Sequence, residues 1–218
     1  MQQVNWPEAI KPLLKKYKDT KHPLNYENIY QLLVMVVLSA RDKDVRINEL
    51  APAFFEEFPN MQSLNAATPE AIANHLKSVR SGLMKTNWLK AIAADIKTDS
   101  AIPLQHEALT KLKGIGTKSA NVILREAGKP AEGVIVDIHV VRVAPLLGIV
   151  SSNKPEEMEE EIKSILPKKQ WDAGMCMSFL GREICRPKPL CEICLMTKVC
   201  NYFHEVVIPS KISNNKSH

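Results

Sequence analysis

Apolar residues recur at helical spacing along most of this chain, and that periodicity is the feature that most limits how it can fold. The recurring positions in two representative segments are Ile29, Leu32, Leu33, Val36 and Val37, then Ile72, Leu76 and Val79. Prolines and polar turns separate such segments from one another. The pattern therefore predicts an all-α protein.

Two helix starts are explicit in the sequence. Thr68, Pro69 and Glu70 match an N-cap, a proline in the first turn and an acidic first-turn residue. Residues 153–157, with the sequence NKPEE, show a similar arrangement. We predict that helices begin at both places.

The segment GVIVDIHVVRV, residues 133–143, is rich in branched residues and would by itself favour a buried strand. The sequence offers no second strong strand to pair with it, so we predict an extended segment through Val136 followed by a helix. Asp137 is expected to cap this helix, which should end before Gly148.

The formal net charge of +5 and the pI near 8.9 suit a polyanionic partner without identifying one. No apolar run approaches the roughly 20 residues of a membrane span, and the N-terminal residues lack the features of a secretory signal. We expect a cytoplasmic protein with no membrane partner.

Four of the five cysteines, Cys185, Cys191, Cys194 and Cys200, lie within sixteen residues, whereas Cys176 stands apart. Such clustering in a chain expected to be cytoplasmic favours metal binding over disulfides. The spacing C-x5-C-x2-C-x5-C suits either a [4Fe–4S] cluster or a tetrahedral zinc ion. Cys176 lies in an apolar stretch and is predicted to be a small core residue.

The segment KLKGIGTKSANVIL, residues 111–124, places two glycines directly before a helical pattern. Apolar residues on both sides predict two helices joined by a tight turn within residues 108–127. Gly114 and Gly116 permit positive φ and the close approach of another backbone, so that N–H groups at the start of the second helix can bind a phosphate. A simple corner between two helices is the alternative interpretation.

Lys118 lies in the first turn of the second helix, where the helix dipole disfavours a charged ammonium. A neutral amine is a nucleophile suited to Schiff-base chemistry, although most lysines at such positions are solvated surface groups. Taken singly, Asp137 is a helix cap, His139 a partly buried residue bonded to the backbone, and Arg142 a surface or phosphate-facing cation.

Together, the hairpin motif, the segment VIVDIHVVRV about twenty residues later and the cysteine loop resemble the endonuclease III family of helix-hairpin-helix DNA glycosylases. The segments LNYENIYQLLVMVVLSARDKD and GREIC extend the similarity to about residues 24–203. Their order and spacing carry the resemblance, since no single motif is specific enough.

The resemblance implies a two-lobed all-α fold with a DNA cleft between the lobes. A six-helix lobe would comprise residues 24–133, and an iron–sulfur cluster lobe would comprise residues 1–23 and 134–204. We expect the polar residues 205–218 to form a frayed tail.

In this family the lysine that matches Lys118 attacks C1′ of a flipped-out damaged nucleotide, expels the base and forms a Schiff base, from which β-elimination nicks the strand. The aspartate that matches Asp137 stabilises positive charge at the sugar and helps to deprotonate the lysine. The resemblance thus implies a bifunctional DNA glycosylase/AP lyase. The residues assigned to DNA binding are Gly114, Ile115, Gly116, Thr117, Arg41, Leu83, His139 and Arg142.

Three departures from the family pattern concern specificity and the cofactor. Arg41, in SARDKD, replaces a glutamine that fills the space left by the flipped nucleotide, and it would either hydrogen-bond the orphaned base or contact a phosphate. Leu83 matches a wedge residue, but Met84 and Lys85 replace the usual Tyr-Asn. The first cysteine interval is one residue shorter than in the family pattern C-x6-C-x2-C-x5-C, and the resemblance still favours [4Fe–4S] over zinc.

The expected partner is double-stranded DNA that contains an oxidised pyrimidine, or an abasic site, bound by a monomer in the nucleoid. One alternative is a monofunctional glycosylase for mismatched or modified bases, in which Lys118 contacts a phosphate and water is the nucleophile. The other is a DNA-binding protein without catalytic activity. Retention of both Lys118 and Asp137 speaks against the latter, since binding alone requires neither.

Overall fold

The computed structural model describes residues 4–215. The α-helices are, in chain order, α1 (Trp6–Ala9), α2 (Lys11–Tyr17), α3 (Ile29–Ser39), α4 (Asp44–Glu57), α5 (Met61–Ala66), α6 (Pro69–His75), α7 (Gly82–Ile96), α8 (His106–Thr110), α9 (Thr117–Glu126), α10 (Ile138–Leu147), α11 (Pro155–Ile165), α12 (Ala173–Glu183) and α13 (Ile208–Asn215). Shorter helical turns are Asp99–Ala101, Lys168–Gln170, Cys191–Ile193, Thr197–Val199 and Phe203–Val207. Residues 4–215 contain no strand, so the all-α prediction is confirmed. No helix in this part of the chain combines the length and apolar character that crossing a bilayer requires.

The chain forms two compact units. One comprises residues 21–130, and the other comprises the described parts of residues 1–20 and 131–218. The predicted lobes, residues 24–133 and residues 1–23 with 134–204, have their boundaries three residues further along the chain.

Helix α3 forms the centre of the unit of residues 21–130. Every side chain from Leu32 to Leu38 is buried, and the helix contacts α4, α7 and α9. Asn28 caps it by accepting a hydrogen bond from the Gln31 N–H at 2.9 Å. A helix that is apolar on all sides is stable in water only when other helices enclose it, which explains its central place.

The two explicit helix starts differ in their caps. The Thr68 hydroxyl accepts a hydrogen bond from the first turn of α6 at 3.2 Å, so this cap is confirmed. The predicted helix start within residues 153–157 is confirmed, since α11 begins at Pro155, but its cap position is Lys154, which makes no side-chain cap bond. Instead, the Ser152 hydroxyl accepts a hydrogen bond from the Lys154 N–H at 3.1 Å, which holds the turn before the helix.

Helix α10 organises the unit that contains residues 131–218. Residues 134–136 enter it without forming a strand, Asp137 caps it and Gly148, with φ of 87°, ends it, all as predicted. It packs on α12, against which α2 also packs. Val140, Val143 and Leu147 provide its buried face.

The frayed tail predicted for residues 205–218 stays a prediction. A π-helical turn, Phe203–Val207, leads directly into α13, and residues 216–218 lie outside the described part of the chain. Pro209 lies within this continuous helical segment, although it has no N–H to donate to it. The polar composition of this segment therefore did not preclude a helix.

Candidate functional site

The predicted hairpin is formed by α8, a turn and α9. Ile115 is buried and anchors the turn. Gly114 has φ of 80°, and a Cβ there would lie 2.4 Å from Cε3 of Trp88, so both its backbone and its packing require glycine. Gly116 has φ of −95°, and a Cβ there would meet nothing within 4 Å. Gly114 thus adopts the positive φ that glycine permits, whereas Gly116 is an extended N-cap residue.

The N-terminus of α9 is open to an external acceptor. Gly116 has no side chain with which to cap the first N–H groups of the helix, and Thr117 and Lys118 are exposed. An uncapped helix start combines free N–H donors with the positive end of the helix dipole. Such an arrangement suits a phosphate, and it places the Lys118 amine one turn away from that phosphate.

Asp137 is fixed in its position by hydrogen bonds on both carboxylate oxygens. Oδ1 accepts from the N–H groups of His139 and Val140 at 2.8 and 3.0 Å. Oδ2 accepts from the Ser178 hydroxyl at 2.6 Å and lies 3.6 Å from Nη2 of Arg182. The carboxylate is therefore both a helix cap and the centre of a polar cluster formed with α12.

The charge state of Asp137 follows from these contacts. Burial alone would raise the pKa of its carboxyl, since only 12% of the side chain is exposed. The hydrogen bonds from Ser178 and Val140, and the charges of His139 and Arg182, outweigh burial and hold the pKa below its ordinary value. Asp137 is consequently an anion at neutral pH.

Arg142 is anchored to the chain's own backbone. Its Nε donates to the Cys185 carbonyl at 3.1 Å, and its Nη2 donates to the Gly181 carbonyl at 2.9 Å. The same Nη2 lies 3.3 Å from Nδ1 of His139. These bonds tie α10 to the end of α12 and to the first cysteine, so Arg142 helps to hold the cysteine loop. The assignment of His139 and Arg142 to DNA binding stays a prediction.

The four clustered cysteines line one cavity. Cys185, Cys191, Cys194 and Cys200 share it with apolar residues of α10 and α12. No three His, Cys, Asp or Glu side chains among residues 4–215 converge on a single ion position. Cys176 is buried in α12 and does not line the cavity, in line with a core role. Despite the shortened first interval, the loop brings four thiols around one space.

The surroundings of these thiols disfavour ionisation in the absence of a cation. Burial raises the pKa of Cys185 to about 11, and Cys194 and Cys200 add to the effect. Burial likewise raises the pKa of Cys200. A set of clustered thiolates would therefore need positive charge in the cavity to offset it.

Arg41 and Leu83 occupy two loops that contact each other. Arg41 follows α3 and is exposed, and Leu83 lies at the start of α7 with 76% of its surface exposed. Oδ2 of Asp42 accepts a hydrogen bond from the Arg80 N–H at 2.8 Å. The structure thus brings together the two segments that the sequence resemblance assigned to contacts around the flipped nucleotide.

Comparisons with known proteins agree with this geometry. A family model described as HhH-GPD superfamily base excision DNA repair protein matches residues 34–168. Endonuclease III of Thermotoga maritima is 31% identical over 201 residues, which is 90% of this chain and 90% of that protein. Endonuclease III of Synechocystis sp. is 30% identical over 197 residues, which is 88% of this chain and 90% of that protein.

This chain belongs to the endonuclease III family. Its fold agrees with that of a trapped endonuclease III–DNA covalent intermediate with an estranged adenine. The two structures share a TM-score of 0.80 and 26% identity, over 94% of this chain and 99% of that chain. The protein is a base excision repair DNA glycosylase with AP lyase activity, as the sequence resemblance implied.

Sequence reasoning missed several members of this endonuclease III site. Ser178 is fully buried and bonds Asp137, and Arg182 lies one helical turn further along the same face. Asp42 and Lys85 were noted only as departures from the family pattern, although they connect the two loops. A single serine within the apolar run GMCMSFL was the one local signal for Ser178.

Proposed function

We propose that Lys118 is the nucleophile and Schiff-base residue of this glycosylase. The observation that carries the proposal is an exposed amine in the first turn of an uncapped helix, with no ion pair or hydrogen bond to any residue of the described chain 4–215. A phosphate held at the N-terminus of α9 would fix the DNA backbone within reach of that amine.

The reaction is expected to proceed in two stages. The Lys118 amine forms a bond to C1′ of the extruded nucleotide while the glycosidic bond breaks, and the base leaves with the bonding electrons and takes up a proton. After nitrogen has lost one proton, its lone pair forms the C1′=N bond of the protonated Schiff base while the C1′–O4′ bond breaks, and O4′ takes up a proton as the sugar ring opens. Removal of a C2′ proton then expels the 3′ phosphate and nicks the strand.

Asp137 is proposed to act as an anion throughout. Its hydrogen bonds and its lowered pKa make it a poor proton acceptor, which favours electrostatic stabilisation of positive charge at the sugar over deprotonation of Lys118. Ser178 and Arg182 would act through Asp137, as positioning residues that fix the direction of the carboxylate.

The four cysteines are proposed to hold a [4Fe–4S] cluster. Four thiols that line one shared cavity fit a polynuclear group, whereas a single zinc ion would need the sulfurs to converge on one point. When bound, the cluster would crosslink the loop. Arg186, Lys188 and Lys198, all exposed, would then offer positive charge to phosphates.

The preferred substrate is proposed to be double-stranded DNA with an oxidised pyrimidine or an abasic site, bound by a monomer. Recognition would combine the hairpin, which contacts the backbone without distinguishing sequence, with Arg41 and Leu83 at the extruded base. A repair enzyme with this substrate is expected in the cytoplasm, at the nucleoid.

Borohydride trapping tests the assignment of Lys118. An abasic duplex should give a covalent complex with the wild-type protein and with Lys113→Gln, which removes an exposed lysine from the same hairpin, but none with Lys118→Gln. A complex that persists in Lys118→Gln would refute the nucleophile. Base release without any trapping would favour a monofunctional enzyme, and DNA binding without either would favour a protein with no catalytic role.

A further inference from the structure

The loop that carries Arg41 is clamped to the segment that carries Leu83. We call residues 40–43 the plug loop and residues 79–84 the wedge turn. Asp42, whose side chain is 3% exposed, accepts hydrogen bonds from the Lys43 N–H and the Arg80 N–H, each at 2.8 Å. These hydrogen bonds of Asp42, which we call the clamp, join the plug loop to the wedge turn through one buried carboxylate.

Two further cations close this connection. Arg46 lies 3.4 Å from Asp42 Oδ1 and donates to the Ser78 carbonyl at 2.9 Å. Lys85 is 1% exposed, and its Nζ donates to the Leu38 carbonyl at 2.7 Å, at the end of α3. A buried lysine is retained only where partners offset its desolvation, so this bond fixes the start of α7 against the end of α3.

Both connected segments carry backbone strain. Arg41 and Ser81 each have φ of 58°, a conformation that non-glycine residues rarely adopt. Such strain persists only where the surrounding structure imposes it, and it concentrates at binding sites. Arg41 and Ser81 each adjoin a residue that takes part in the Asp42 contacts, so these contacts hold the backbone that carries Arg41.

The exposed side chains of the plug loop and the wedge turn are of types that can contact an unpaired base. The Arg41 guanidinium forms no hydrogen bond or ion pair within residues 4–215. Leu83 and Met84 are 76% and 45% exposed on the wedge turn. Apolar side chains can contact the face of a base, and a guanidinium can bond its edge.

We propose that Arg41 recognises the orphaned base opposite the lesion and selects guanine. A guanidinium has five donors and no acceptor, which matches the O6 and N7 acceptors of guanine. Adenine places an N6 donor beside N7, and that donor would find no acceptor on Arg41. The inference rests on the proposed function, because an orphaned base exists only where the protein extrudes its partner.

Selection of guanine defines a substrate class. A guanine stands opposite lesions that derive from cytosine, such as its deaminated or oxidised products, and opposite thymine in a G·T mismatch. An adenine stands opposite lesions that derive from thymine. We therefore infer that cytosine-derived lesions are the preferred substrates of this glycosylase.

The test compares one lesion opposite two partner bases. Duplexes that carry dihydrouracil opposite guanine or opposite adenine are incubated with excess protein, and the rates of base release give a G/A ratio. The wild-type ratio should be about 5- to 100-fold, the discrimination expected of a bidentate contact. The ratio should fall to near one in Arg41→Gln.

Two further variants separate base recognition from a phosphate contact. Arg41→Lys keeps the charge and donors for O6 and N7 but loses the planar fork, so its ratio should lie between those of the wild type and Arg41→Gln, whereas a phosphate contact would leave the wild-type ratio in both variants. Arg80→Gln is the matched control, since only the Arg80 backbone takes part in the clamp, and it should keep the ratio.

Two results would overturn the inference. These are equal wild-type rates opposite guanine and adenine, and a wild-type ratio in Arg41→Gln. Borohydride trapping on an abasic duplex distinguishes them from failure of the proposed function. Trapping without a G/A preference refutes only the role of Arg41, whereas the absence of both trapping and base release refutes the proposed function and this inference with it.

Discussion

The two glycines of the hairpin give a matched pair of substitutions. Gly114→Ala would place a Cβ 2.4 Å from the Trp88 ring at φ of 80°. The left-handed conformation costs an alanine about 1–2 kcal/mol, and overpacking costs about 1–3 kcal/mol more. We therefore expect Gly114→Ala to lower the free energy of unfolding by about 2–5 kcal/mol.

Gly116→Val should leave the fold intact. Its Cβ would meet nothing within 4 Å, and its backbone, with φ of −95° and ψ of 178°, suits a branched residue. Restriction of the unfolded chain gains about 0.4–1 kcal/mol, and the poorer N-cap loses a similar amount. Its free energy of unfolding should stay within about 1 kcal/mol of the wild-type value.

The same substitution should weaken DNA binding. A Cβ at Gly116 would stand where a phosphate approaches the α9 N–H groups, and a lost hydrogen bond to a charged group is worth about 1.5–3 kcal/mol. Affinity should fall about tenfold or more for damaged and undamaged duplexes alike, because a phosphate contact carries no sequence information. The slope of log affinity against log salt should also fall by about one.

Thermal unfolding and fluorescence anisotropy with labelled duplexes measure the two effects separately. The phosphate hypothesis requires a stable Gly116→Val protein with weakened binding. Wild-type affinity in this variant would refute the hypothesis, and so would a loss confined to damaged DNA. A Gly114→Ala protein as stable as the wild type would contradict the packing argument at Trp88.

Two further sites allow direct tests. Ser178→Ala removes a hydrogen bond that lowers the pKa of Asp137, so this pKa should rise when it is measured by NMR titration. The acid limb of the pH–rate profile should also move to higher pH, and Ser164→Ala is the control. Because the pKa of Asp137 is lower in the folded than in the unfolded protein, its ionised form stabilises the fold above the unfolded-state pKa. This stabilisation is lost as the pH falls through the folded-state pKa. Ser178→Ala brings the two pKa values closer together, so it should reduce the loss of stability in acid. Cys191→Ser should lose bound iron and acid-labile sulfide, whereas Cys176→Ala should retain both. An unchanged Asp137 pKa in Ser178→Ala, or zinc in place of iron in the purified protein, would contradict these assignments.

The sequence by itself determined the features that depend on near neighbours. The caps at Thr68 and Asp137 bond groups only two or three residues away, so their residue types sufficed to predict them. Apolar periodicity predicted the all-α fold because a helix brings residues three and four apart onto one face. The cysteine spacing likewise indicated a site, since its four members lie within one loop.

At two places local preference left more than one conformation open. Glycine at position 116 permitted positive φ but did not require it, and the backbone is extended there. A polar tail indicated fraying, yet residues 208–215 continue as α13. In both cases composition restricted the allowed conformations without selecting one of them.

Only the tertiary structure decided which distant groups meet. Ser178 lies 41 residues from the carboxylate that it bonds, Arg80 lies 38 residues from Asp42, and Lys85 lies 47 residues from the carbonyl that it caps. Sequence spacing contains no signal for such pairs, because their distances are set by how α3, α7, α10 and α12 pack. The candidate catalytic residues could thus be proposed from the sequence, whereas the charge state of Asp137 and the contacts of Asp42 beside Arg41 arise from side-chain packing between distant segments.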